Sequence, residues 1–446
     1  MNKSILFLLA LLICFAAQAQ EKQDLWAYLE NLYSKDDVKN KDKEPVFTGK
    51  EFVSKLQSNR TSGADAEVLA SVQKLVERRY KPYPDISKHL EHIVQLAKLK
   101  PDASLAKNFA LSSAYFLSKP GNNDFNLFAE NIQLLVKDSA VSLYKSFSWV
   151  VNSLDFEIQP TPKPVVLFNN VNLGCVMNNN RQYIYNTSGV YDPVALTWKG
   201  KGGTLYWTKA GLPKDSVYTQ LNRYTLMLQG TDLVADSALY INKRIIATGV
   251  FGKFEDSFKP GRPGLPRFKS YGTDVFLKDV APDVDYKGGI VAEGKTIDGI
   301  GKPEHPATLI FETKNKSAIT VKANSFNFSG KFLGSKDAKV NIQYKNDSIY
   351  TPNISFVYDP NIRKVTLFQN SNLLSSSPYY DSYHKMEIRA GAIDWFIDDT
   401  IMSFTKGTGL IKEGDAHFIS ENYFRADDFQ KVQGIDPVNP LVTLYK

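Results

Sequence analysis

From Asp24 to about Asn152, apolar residues recur at spacings of three and four. Leu25, Leu29 and Leu32 form one stripe, and Val68, Val72, Leu75 and Val76 a second. Ile86, Leu90, Ile93, Val94 and Ala97 make a third, with Asp85 placed after Pro84 to cap it. Residues 106–117 and 125–136 repeat the theme, and breaks fall at Pro82-Tyr83-Pro84, Pro101 and Pro120-Gly121. This spacing predicts a small antiparallel helical bundle. The alternating Lys and Asp of residues 34–45 predict a solvated loop.

At Pro160-Thr161-Pro162-Lys163-Pro164 the pattern changes. Three prolines in five residues cannot continue a helix and favour an extended connector. Beyond them apolar and polar residues alternate with a period of two, the mark of strands that show one face to a core and one to water. The strongest stretch is 233–250, L-V-A-D-S-A-L-Y-I-N-K-R-I-I-A-T-G-V, with an Asn-Lys turn inside it and a looser echo at 321–328. More than ten short strands without intervening helices predict a sandwich, barrel or β-solenoid. The expected fold class is therefore α+β and multidomain. A helical domain spans 20–155, a proline-rich linker 156–165 and an all-β domain 166–446, as a β-roll or β-solenoid with a β-sandwich as the alternative.

Residues 1–19 read as a secretory signal peptide: Lys3 is the positive start, residues 5–16 are apolar, and Ala17-Gln18-Ala19 offers a small-x-small cleavage site. Nothing later approaches a membrane-spanning apolar run. Losing the leader removes Cys14 and leaves Cys175 alone, so the core and not disulfides must hold the fold. The net charge of +7 is spread among residues of both signs, which points away from a nucleic-acid partner.

The segment A-D-S-A-L-Y…A-T-G-V resembles the strand repeats of the OstA-like lipopolysaccharide-transport family, with Ala235, Asp236, Ala238, Tyr240, Ala247, Gly249 and Val250 on the matching positions. That resemblance implies an open, slightly twisted β-roll. G-G-T-L-Y-W-T-K-A-G-L-P, Y-K-G-G-I-V-A-E-G, D-S-I-Y-T-P-N-I-S-F-V-Y and Y-Y-D-S-Y-H-K-M-E look like motifs of large exported Bacteroidota proteins of uncharacterised function. Those chains are usually longer, so this one resembles an N-terminal portion of that architecture, ending inside a strand. The lineage also implies candidate O-glycosylation at Asp-Ser/Thr-aliphatic positions: Ser139, Ser216, Ser237, Ser348 and Thr400.

Candidate chemistry is sparse. The chain has no G-x-S-x-G elbow, no phosphate-binding P-loop and no C-x-x-C pair. His89 and His92 flank an apolar stripe and are expected at the surface, partly exposed. Tyr379, Tyr380, Asp381, Tyr383 and His384 form the densest polar-aromatic cluster, with Lys385 and Arg389 close in sequence and Trp395 beyond. A polysaccharide lyase would want such a Tyr or His base plus a cation. The cluster reads equally as a loop covering a sheet end. Asp394, Asp398 and Asp399 supply carboxylates near Trp395, with Asp398-Asp399 first a hairpin turn.

These readings lead to a non-enzymatic, exported cell-envelope protein of the periplasm, outer membrane or cell surface. It would bind or scaffold an envelope lipid, a glycan or an outer-membrane protein, and no cofactor or metal is expected. The alternatives are a carbohydrate-active enzyme, a lyase or glycosidase on a β-solenoid, and a surface adhesion module. Inward Leu, Ile, Val and Phe would mark an acyl-chain groove, whereas exposed aromatic rows would mark a glycan binder.

Overall fold

In the computed structural model the described residues are 24–34, 38–39, 45–47, 49–58, 63–100, 102–178, 180–246, 248–259, 261, 265–313, 318–328, 331–369, 377–399, 401–405 and 416–420. Helices in the N-terminal region are followed by a large antiparallel β-region. The chain divides into two compact units. One comprises Met1–Leu205, Leu221–Leu233 and Phe258–Pro260, the other Tyr206–Gln220, Val234–Ser257 and Gly261–Lys446.

The first unit holds helices α1 (Leu25–Tyr33), α2 (Gly49–Ser58), α3 (Asp65–Glu77), α4 (Ser87–Leu99), α5 (Ser104–Leu117) and α6 (Asn123–Asp138). Asp24 caps α1 by accepting from the Trp26 amide at 3.4 Å. The apolar stripes meet in a core containing Leu29, Val72, Leu75, Phe109, Phe128 and Leu135. Phe109 stacks on Phe128 at 5.4 Å, and Phe116 tilts onto the same ring at 5.2 Å.

His89 and His92 are buried in this core, not partly exposed as their polarity suggests. His89 lies three residues after Ile86 and four before Ile93, on the buried stripe of its own helix. Its ring stacks on Phe109 at 5.3 Å, and its Nε2 lies 2.9 Å from the Ser71 hydroxyl. The region expected as the 34–45 loop contains a short antiparallel pair, Val38–Lys39 with Pro45–Phe47.

The change from helix to strand comes earlier than the prolines. Ser139 adopts a left-handed conformation after α6, and the strands Ala140–Leu143, Ser148–Val151 and Phe156–Gln159 follow directly. Gln159 pairs with Val165, so residues 160–164 close a hairpin within the sheet. The expected helical domain to 155 and linker at 156–165 are corrected accordingly: proline is tolerated where a strand ends, and here it shapes a turn.

Each unit is organised around one long hairpin whose strands bend. In the first, Val165–Met177 pairs with Asn180–Asp192, and the register slips between Phe168 and Leu173. Before the slip Val165–Met177 borders Phe156–Gln159; after it, Ser148–Val151. In the second unit, Leu333–Tyr344 pairs with Asp347–Asp359 and slips between Ser335 and Val340. One end of Asp347–Asp359 borders Lys364–Phe368 and the other Tyr379–Asp381. Such bulges bend a strand and let it serve two walls. Phe311 proves that those walls face each other, because its ring touches Phe356 at 5.9 Å and Tyr358 at 4.9 Å. It lies on the Ile342 side through the pairs Phe311–Ile319 and Ile319–Ile342.

Aromatic rings lie over inward glycines in both units. A Cβ on Gly200 would clash with the ring of its cross-strand partner Tyr224. One on Gly299 would sit 2.7 Å from the Tyr286 ring. Gly202 and Gly203, both at positive φ, interrupt a strand that keeps its direction, since Lys201 pairs with Ser188 and Thr204 with Tyr185 on the same neighbour. Gly288 and Gly289 lie within the strand Val284–Glu293, where backbone and rings pack closely.

Candidate functional site

The core of the second unit can be followed rung by rung. On one wall Phe356 pairs with Leu367, Leu367 with Ile393, and Ile393 with Phe404. Beside that row run Tyr358, Val365, Trp395 and Met402. On the facing wall Ile342 pairs with Ile349, Ile349 with Asp381, and Asp381 with Met386. Tyr379 pairs with Ile388 and Ile388 with Phe418. Tyr379 is fully buried and its hydroxyl reaches the Leu367 carbonyl of the opposite wall at 3.4 Å.

At the Phe404–Phe418 rung burial falls. Leu367, Ile393 and Ile388 are buried, yet Phe418 is 52% exposed. Phe404 and Phe418 meet edge to face across the gap at 5.3 Å. An open cavity of about 690 Å³ lies here, with an apolar lining of Ile342, Ile349, Met386, Ile388, Met402, Phe404 and Phe418. Its rim is polar, made by Tyr344, Lys345, Asp347, Ser348, Asp381, Tyr383 and His384.

The rim is built by two adjoining turns. Asp381 occupies an inward position in an otherwise apolar row, and its carboxylate is spent on the turn that follows. It accepts from the Tyr383 amide at 2.9 Å, the His384 amide at 3.3 Å and the His384 ring Nδ1 at 2.8 Å. Ser382 ties this turn to the neighbouring hairpin: its hydroxyl donates to Asp347 at 3.1 Å and accepts from the Ser348 amide at 2.8 Å. Tyr383 stands 70% exposed with its ring against His384 at 4.8 Å.

The structure thus brings Asp381, Tyr383 and His384 together at one lip and separates the other candidates from them. Tyr380 faces outward, opposite Tyr350 and Glu387. Trp395 is buried in the other wall and donates its indole N–H to the Asp399 carbonyl at 2.9 Å. Burial pushes the Tyr379 hydroxyl above its usual range, which makes it a poor base. Arg389 is exposed on the face opposite to Ile388 and pairs with Glu387 at 3.6 Å. Asp398 forms the expected hairpin turn and binds Arg363 at 2.7 Å, while Asp394 binds Lys364 at 3.0 Å. No group of three or more metal-ligating side chains occurs among the described residues. Burial pushes the Cys175 thiol up to about 12, which leaves it unreactive.

Of the candidate modification sites, Ser139 ends α6 half-buried and Ser237 lies half-buried within the strand Asp232–Asn242. Ser216 occupies a turn beside Asp215, Ser348 belongs to the cavity rim, and Thr400 falls outside the described residues. Sequence reasoning missed the apolar lining. Met402 and Phe404 were visible only as alternating strand residues, and Phe418 carried no signal.

No known protein family, curated protein or solved structure matches this chain.

Proposed function

We propose that this chain is a non-enzymatic, exported cell-envelope protein whose β-region is an OstA-type roll that holds the acyl chain of an envelope lipid. The observation that carries this reading is the apolar interior left open at the Phe404–Phe418 rung, with polar groups confined to its lip. Ile, Met and Phe line it, which suits a flexible hydrocarbon better than a sugar ring; its volume lies within the range of about 300–1,000 Å³ usual for small-molecule sites. Covering apolar area yields roughly 25 cal/mol per Å², so a chain laid along Ile388, Met402 and Phe404 supplies the binding energy. The rim then meets the head group. The leader-like residues 1–19 support a site of action outside the cytoplasm, in the periplasm, at the outer membrane or on the surface.

The test is retention by the purified full chain of radiolabelled envelope lipid against labelled polysaccharide. Lipid retained and polysaccharide washed away is the expected result; the reverse, or retention of neither, sinks the reading. One observation favours a second reading, a carbohydrate-active enzyme: the His384–Asp381 contact of 2.8 Å at the lip. Turnover on a polysaccharide panel that disappears in His384→Ala would move the assignment there.

A further inference from the structure

A second cavity in the same unit, of about 460 Å³, has a different electrostatic character. Its apolar floor comes from Leu277, Ile297 and Phe328, and its side from Tyr240 and Asn242. The Tyr240 ring is held in place, stacked on Phe268 at 5.0 Å and tilted on Trp207 at 5.1 Å. Asn242 donates to the Tyr240 hydroxyl at 3.2 Å and accepts from the Arg244 amide at 3.2 Å, fixing the turn that carries Arg244. Across the opening, Lys295 lies in the tight turn between the paired residues Glu293 and Thr296. Its Cε and Nζ come within 3.1 and 3.3 Å of where a Cβ on Gly211 would stand.

Arg244 and Lys295 are the charged members of the lining, and both are cations. No carboxylate pairs with either among the described residues. The buried and half-exposed carboxylates nearby in sequence have other partners: Asp256 binds Lys209 at 3.3 Å and Glu293 binds Arg267 at 2.7 Å. Two cations over an apolar floor attract an anion whose remainder is hydrocarbon. We propose that this cavity binds a single-chain amphiphile with a carboxylate or phosphate head, the tail on Leu277, Ile297 and Phe328 and the head between Arg244 and Lys295. The site stands independently of the opening at Phe404 and Phe418, whose rim mixes both charges.

Calorimetric titration of the full chain with dodecanoate, dodecyl phosphate, dodecanol and inorganic phosphate, below micellar concentrations, tests it. The two anionic amphiphiles should bind at least tenfold more tightly than dodecanol and lose that advantage in the double variant Arg244→Gln/Lys295→Gln. Both side chains are exposed, so an unchanged thermal melt should accompany the loss. Phe418→Asp should leave this anion preference intact, which separates the site from the first cavity. Equal binding of dodecanol, retention of the preference in the double variant, or its loss in Phe418→Asp instead would overturn the proposal. So would inorganic phosphate binding as tightly as dodecyl phosphate, which would make the tail irrelevant.

Discussion

His89 carries a neutral ring where the surrounding core can supply no counter-charge. The Ser71 hydroxyl donates to the Val68 carbonyl, so the His89 Nε2 must donate to Ser71, which leaves Nδ1 bare. Burial, with a smaller contribution from His92, lowers its pKa from 6.5 to about 3. The sign follows from linkage. In the unfolded chain the ring gains its proton near pH 6.5, in the folded chain not until about 3. The helical region is therefore at full stability above pH 6.5 and loses stability progressively as the pH falls from there towards 3. A far-UV circular dichroism titration should show helical signal melting in this window, and His89→Phe should move the acid midpoint to lower pH. A midpoint unmoved by the substitution would contradict this. The sequence set His89 beside the apolar stripe and at the surface; the Ser71 and Phe109 partners show that its ring belongs to the core.

At the scale of elements, the turn after Asp381 shows how a polar residue earns an inward position. Asp381 holds two amides and a ring nitrogen, and Ser382 clasps the adjoining hairpin. These bonds are exposed, so losing one costs only the net worth of an ordinary hydrogen bond, about 0.5–1.5 kcal/mol. Asp381→Ala should therefore lower the melting temperature and speed hydrogen exchange at the Tyr383 and His384 amides. Unchanged exchange there would show the turn to be held by other contacts. The sequence showed this cluster as a dense polar-aromatic run, and the reading of a loop at a sheet end matches its place. Its apolar counterpart was hidden for a topological reason. Ile342, Met386, Met402 and Phe418 come from four strands far apart in sequence, joined only by cross-strand pairing. The short strands at Ala140–Leu143 and Ser148–Val151 escaped because four residues are too few to show a period of two. Three prolines then drew the boundary to a hairpin turn.

For the whole molecule, the order of helices before strands was legible from periodicity alone; the antiparallel pairing of the β-region was not, because a period of two is the same for either strand direction. No helix among the described residues is long and apolar enough to cross a membrane. Whether the β-region works as a lipid-holding roll turns on whether hydrocarbon enters at the Phe404–Phe418 rung. The most direct measurement is photocrosslinking of the full chain with a diazirine-bearing acyl lipid, followed by mass spectrometric mapping of the adducts. The account predicts adducts concentrated on Met386, Ile388, Met402, Phe404 and Phe418, reduced several-fold by Phe418→Asp. Adducts scattered over the outer faces of the strands, or a pattern indifferent to Phe418→Asp, would contradict it.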